Sequence, residues 1–84
     1  MVTKVDEQIE VGAVFGGRRK IIPRWFIWNG RQYRIKEITY TWSERQGRAS
    51  IHYFSATDGI NLFELYYNSE SMLWFLSQLD DGSY

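Results

Sequence analysis

The sequence predicts an all-β fold: an antiparallel meander of five to six strands, rolled into a strongly curved sheet or a small barrel. Three observations predict it. Apolar residues alternate with polar ones over most of the chain. Two-residue turn signals, Asn29-Gly30 and Asp58-Gly59, stand between such alternating runs. Aromatic residues, which favour strands and fill small cores, make up 18% of the chain.

The 84 residues suit a single small β-domain, with residues 1–8 and 80–84 expected to fray at its ends. A chain of this length buries little area, and it has no cysteine to staple it, so packing of the rings must supply its stability. Met1 to Glu10 is polar, with no apolar signal core. No apolar run approaches the length of roughly 20 residues needed to span a bilayer. The expectation is a cytoplasmic protein with no membrane partner.

The elements follow in order. Residues 1–8 read as a loose leader. Ile9, Val11, Ala13 and Phe15 alternate as a strand, which Gly16-Gly17 ends, and Arg18-Arg19-Lys20 forms a basic loop. Ile21 to Trp28 is β-branched and aromatic; Pro23 has no amide hydrogen, so it belongs at an edge or a strand start. A tight Asn29-Gly30 turn pairs Trp28 with Arg31, Phe26 with Tyr33, and Arg24 with Ile35. On the opposite face it pairs Trp25 with Arg34, a candidate cross-strand cation–π contact, and Ile27 with Gln32. Phe26, Tyr33 and Ile35 therefore face the core.

The next strand, Gln32 to Glu44, changes phase. Tyr33 and Ile35 share one face, while Ile38, Tyr40 and Trp42 share the other. Either a bulge near Lys36-Glu37 resets the alternation, or both faces are partly buried. Gln46-Gly47 marks a turn, and Ser50 to Thr57 a further strand. A two-residue Asp58-Gly59 turn pairs Phe54 with Phe63 and His52 with Leu65, and on the other face Tyr53 with Glu64 and Ile51 with Tyr66. Ser69 to Leu79 reads in two ways. As a strand it follows a loop at Asn68 to Ser71. As a helix it is capped by Ser69, with Met72, Phe75, Leu76 and Leu79 on one stripe. The strand fits the preceding meander better.

Formal net charge is zero, but nine of the ten basic residues lie between Arg18 and Arg48, opposed there only by Glu37 and Glu44. Asymmetry of this kind marks a basic binding face, unless strand pairing brings the halves together and the charges neutralise each other. Catalytic chemistry is poorly represented. One histidine and no cysteine exclude a His/Cys zinc set, and His52 falls opposite an apolar residue. No phosphate-binding glycine motif occurs; Gly16-Gly17 before the basic loop reads as a turn. Glu37, Glu44 and Glu64 suit ion pairing or solvent better than acid–base work. The expectation is a non-enzymatic module with no catalytic residues, no metal and no cofactor.

Single-stranded nucleic acid is held by rings that stack on bases and cations that follow the backbone. Rings at Trp25, Trp28, Tyr33, Tyr40 and Trp42 lie near the basic segment. The residues predicted to bind nucleic acid are Arg18, Arg19, Lys20, Arg24, Trp25, Trp28, Arg31, Arg34 and Lys36. The alternative is a protein-interaction or homodimerisation module, because several strands carry apolar residues on both faces.

The order of Pro23, Phe26, Gly30, Tyr33 and Trp42, then Tyr53-Phe54, Gly59, Glu64-Leu65-Tyr66-Tyr67 and Trp74-Phe75-Leu76, resembles a group of small, functionally uncharacterised bacterial β-domains. It is also similar to the C-terminal segment of catalytically inactive Y-family polymerase-like proteins of bacterial mutagenesis cassettes. The resemblance covers about Ile22 to Leu79 and rests on short aromatic motifs. It implies a stand-alone relative linked to DNA repair or damage tolerance, with single-stranded nucleic acid or a DNA-repair protein as partner. This chain carries no polymerase-like region, and no catalytic residue transfers with the resemblance.

Overall fold

Residues 1–17 and 20–82 are described by the computed structural model. Their strands are β1 (Val2–Gly16), β2 (Lys20–Trp28), β3 (Arg31–Arg34), β4 (Glu37–Gln46), β5 (Ala49–Thr57), β6 (Leu62–Asn68) and β7 (Leu73–Asp80). They form one seven-stranded sheet in the order β3-β2-β1-β7-β6-β5-β4, antiparallel throughout. The all-β expectation therefore holds, with more strands than the five or six expected. The sheet is not closed by hydrogen bonds into a barrel: β3 and β4 are its edges. Among the described residues no helix is long and apolar enough to cross a membrane.

Two corners fold this sheet over itself. The first is β1. Its first half pairs with β7, from Val2 opposite Asp80 to Ile9 opposite Trp74, and its second half pairs with β2, from Glu10 opposite Ile27 to Gly16 opposite Lys20. Residues 1–8 are thus no loose leader but half of a central strand, and Asp80 at the other expected frayed end pairs with both Val2 and Leu62. The second corner is Ile35-Lys36. The Ile35 amide donates to the Arg24 carbonyl at 2.9 Å, while the next amide, of Lys36, donates to the Thr57 carbonyl at 2.8 Å. Consecutive amides bond to the two halves of the sheet, so the chain changes layer there.

The two layers enclose the core. Phe26 of β2 meets Phe63 of β6 edge-on at 4.9 Å and stacks on Tyr33 of β3 at 5.0 Å. Ile9, Phe54, Leu65, Tyr67, Trp74 and Leu76 complete the buried cluster. Three of its members, Phe26, Leu65 and Leu76, are wholly inaccessible to solvent. Burying side chains of this size gives roughly 1.5–3 kcal/mol each, the main term opposing chain entropy. It matters more in a fold without disulfides.

The hairpin registers test the turn chemistry. At Asn29-Gly30 both residues have positive φ, 56° and 74°. A tight type I′ turn requires this. Every expected cross-strand pair of this hairpin is observed. The Asp58-Gly59 signal overshoots. The Asp58 carboxylate accepts the Ile60 and Asn61 amides at 2.9 and 2.7 Å. Such side-chain capture closes a four-residue loop, 58–61, rather than a two-residue turn. Phe54 consequently faces Leu65 and His52 faces Tyr67. The slip is two residues, an even number, so each side chain keeps its expected face.

The phase change after Tyr33 has two parts. The corner at Ile35-Lys36 keeps Ile38 against the core, opposite Ala56. A bulge at Thr39 then resets the alternation, since Tyr40 faces Ser55. Tyr40 and Trp42 therefore point outward while Ile38 points in, contrary to the expected sharing of one face. The segment after Ser69 is strand β7, not helix; Asn68 accepts the Glu70 and Ser71 amides at 2.9 and 3.1 Å and so shapes the loop before it.

Candidate functional site

Strand alternation divides the candidate residues between two surfaces, and the division does not follow the sequence. On the β2–β3 hairpin, Arg24, Arg31 and Arg34 are exposed, as are Lys20 at the start of β2 and Lys36 at the second corner. Arg18 and Arg19 lie outside the described residues. Arg24 occupies a bulge, because Gly12 faces Trp25 while Ala13 faces Pro23. No ion pair joins a described lysine or arginine to a described carboxylate. Among the described residues, direct ion pairing therefore does not join the basic and acidic halves.

The two tryptophans of this hairpin are half-buried. Trp28 packs against the core cluster, tilted on Tyr33 at 6.3 Å. Trp25 lies over Gly12, where an added Cβ would collide with the indole, so only glycine fits beneath it. Trp25 and Arg34 are cross-strand partners as expected. Among the described residues, however, the cation–π contact is Arg31 over Tyr33, at 5.2 Å.

A longer row of half-buried rings lies on the outer face of the other layer. Trp42 of β4, Tyr53 of β5, Tyr66 of β6 and Phe75 of β7 are directly opposite one another in successive pairs, and the row ends on Gln8 of β1. Trp42 and Tyr53 stack at 4.9 Å with planes 1° apart, and Tyr66 and Phe75 at 4.9 Å and 15°. Between these two stacked pairs Tyr53 and Tyr66 open to 42° at 5.5 Å. Tyr40, 65% exposed, extends the row beside Trp42 at 5.5 Å. The row follows from sequence. Tyr53-Phe54, Tyr66-Tyr67 and Trp74-Phe75 are adjacent aromatic pairs in strands, and a strand sends neighbouring side chains to opposite faces. Of the rings singled out from sequence, only Tyr40 and Trp42 belong to this row; the doublets are the signal for the others.

Carboxylates border this face. The Tyr53 hydroxyl donates to Glu44 at 3.4 Å. Partial burial, then the Glu44 charge and this hydrogen bond, raise the Tyr53 phenol above its ordinary range, with smaller contributions from Tyr66 and Glu64. Partial burial and then Asp6 raise that of Tyr66. Asp6 sits at a β1 bulge with φ 49°. Aspartate tolerates this left-handed conformation. On this face is a depression of about 430 Å³, bounded by Tyr53, Tyr66, Phe75, Asp6, Glu64 and Gln46.

A second groove, of about 350 Å³, runs between Lys20–Ile22 of β2 and Ile38, Trp42 and Phe54 of the facing layer. His52 borders it, with Nδ1 3.2 Å from the Ser43 hydroxyl. Among the described residues no group of three or more metal-ligating side chains converges.

Fold and surface together define a small antiparallel β-domain, folded once on itself, that presents an aromatic face on one layer and an arginine-bearing hairpin on the other. The chain belongs to the DUF6504 family, a domain of unknown function, whose family model matches residues 1–81. No curated protein and no solved structure matches it.

Proposed function

We propose that this domain is a non-enzymatic interaction module whose contact surface is the outer aromatic row, met by a protein partner. The observation that carries this reading is the run Trp42, Tyr53, Tyr66 and Phe75 across four neighbouring strands, on a face that no other described element covers. Aromatic area gathered in one outward patch is what interface centres are enriched in. Photo-crosslinking tests it. With a benzophenone amino acid in place of Tyr66, irradiation in cells yields discrete protein adducts. The same probe in place of Gln32, on the hairpin, does not yield those adducts. A Tyr66 probe that gives no protein adduct sinks the reading.

The exposed cations favour a second reading. Lys20, Arg24, Arg31, Arg34 and Lys36 have no ion-pair partner among the described residues, which suits a phosphate backbone. Contact there is electrostatic capture without base stacking, because Trp25 and Trp28 are committed to Gly12 and to the core. The similarity to the C-terminal segment of inactive Y-family polymerase-like proteins supports a setting in DNA repair or damage tolerance for either reading. Titrating labelled protein with single- and double-stranded oligonucleotides at two salt concentrations gives salt-sensitive amide shifts at Arg24, Arg31 and Arg34. Their absence at low salt ends the nucleic-acid reading.

A further inference from the structure

We infer that the occupant of the aromatic face is an arginine-bearing segment of the partner protein, with a guanidinium seated in the depression that Tyr53, Tyr66 and Phe75 border. This rests on the reading of that face as an interface. Three features of the depression point the same way. The first is shape. The rings within each pair are stacked on one another, at 1° and 15°, whereas Tyr53 and Tyr66 are inclined at 42° while still in contact at 5.5 Å, so the row turns between them. Both rings, with Phe75, border the depression.

The second is charge. Glu64 and Asp6 border the depression, and Glu44 is hydrogen-bonded to the Tyr53 hydroxyl on the other side. The strand register assigns Lys4 to the same face, in the row that runs through Gln78 and Glu64, but it stands on β1 with Gln78 between. No ion pair joins Lys4 to these acids. Carboxylates beside aromatic rings attract a cation twice, by ion pairing and by the ring quadrupole.

The third is the form of the cation. A planar guanidinium both stacks on a ring and donates sideways to a carboxylate, which a compact ammonium does not do as well. Other occupants fit less well. Two copies meeting through this face related by a twofold axis would bring Asp6, Glu44 and Glu64 of one against those of the other, a like-charge contact. Docking of one copy's hairpin arginines on another's aromatic face is heterologous and propagates into open chains. A nucleic-acid backbone is repelled by the same carboxylates.

NMR titration tests the inference with a blocked hexapeptide of alternating glycine and arginine, its glutamate counterpart and a neutral oligosaccharide, at about 20 mM and about 300 mM salt. The arginine peptide is expected to shift the Tyr53, Tyr66 and Phe75 ring signals at low salt. Binding should weaken roughly three- to tenfold in the Asp6→Asn, Glu64→Gln double variant. Asp6 is exposed and Glu64 half-buried, and neither carboxylate takes part in an ion pair with a described residue. An unchanged amide spectrum confirms that the variant keeps the fold. No response to the arginine peptide, equal binding by the double variant, or preference for the glutamate peptide or sugar overturns the inference. So does concentration-dependent self-association, by sedimentation, that the double variant abolishes. If Tyr66 still crosslinks to protein while the arginine peptide does nothing, the face is an interface and only the partner's chemistry is wrong. If both fail, the interface reading falls as well.

Discussion

The two faces of the β4–β7 layer are built from neighbouring residues and differ in what they do for the fold. Phe54, Tyr67 and Trp74 point inward, at 5%, 6% and 7% exposure, and their immediate neighbours Tyr53, Tyr66 and Phe75 point outward and remain half-exposed. The inward rings pack on one another, Phe54 on Trp74 at 5.6 Å and Tyr67 on Trp74 at 4.9 Å, and on aliphatic residues from both layers. The outward rings pack on each other, and the Tyr53 hydroxyl donates to Glu44. An inward ring gains the full hydrophobic term, while an outward one gains partial burial and a ring–ring contact of about 0.5–1.5 kcal/mol. The outward row therefore contributes less to folding than the inward rings do.

The largest break in this comparison comes from truncating adjacent rings. Phe54→Ala removes a buried ring and leaves a cavity, and it is expected to lower stability by about 3–5 kcal/mol. Against the ~4–13 kcal/mol expected of a chain this size, that is a large share, read as a strongly lowered midpoint in urea titration. Tyr66→Ala, on the other face, is expected to lower it by only about 0.5–1.5 kcal/mol with the transition still cooperative. Comparable losses at the two positions would mean that the outer row is structural.

Gly12→Ala probes the opposite layer. The new methyl group meets the Trp25 indole, which must leave the surface of β1. A loss of about 1–3 kcal/mol is expected, with a changed tryptophan emission maximum. An unchanged spectrum would show that the indole does not rest on Gly12. A smaller effect, about 1 kcal/mol, is expected for Asp58→Ala. It removes the acceptor of the Ile60 and Asn61 amides. Partial burial pushes the Asp58 carboxyl up, but these amides and the Asn61 side chain outweigh it and hold it below its ordinary range. Its contribution is thus present above the unfolded carboxyl pKa of about 3.9 and fades as pH falls through the lower folded value. The Ala variant should lose that part of the acid sensitivity.

Much of this fold is written in local chemistry. Asn29-Gly30 dictates its turn type, and the turn dictates every partner in its hairpin. Alternation alone puts Phe54 and Leu65 on one shared face, and packing of the second layer makes that face the inner one. The features that escape local reading are all set by distant pairing. Residues 1–8 look like a leader until β7 is beside them, since only Val5 there packs on the core. The Asp58 loop depends on a side chain choosing Ile60 and Asn61 rather than the tighter turn. Trp25 and Trp28 look alike in sequence, and a glycine on β1 and the core claim one each. The expected grouping of rings with arginines breaks for the same reason. Proximity along the chain sets them side by side, whereas the corner at Ile35-Lys36 sends the following strand to the other layer. Aromatic doublets, read with strand alternation, are the signal that locates the outer row.

The smallest expected effect separates the two faces by pH. The Tyr53 and Tyr66 phenols are raised, first by partial burial and then by Glu44 and Asp6 respectively. The folded state therefore holds these protons more tightly than the unfolded chain, whose phenols titrate near about pH 10. The contribution to stability is complete below about pH 10 and is lost as pH rises through the higher folded values. Urea titrations between about pH 8 and about pH 11 should show stability falling at the alkaline end. In the Tyr53→Phe, Tyr66→Phe double variant part of that fall should disappear, because both rings remain and neither can ionise. Glu44→Gln should lower the Tyr53 phenol, since it removes the neighbouring charge while keeping a hydrogen-bond acceptor. An alkaline decline identical in all three proteins would mean that the carboxylates do not act on the row. It would also remove the electrostatic basis for seating a cation there.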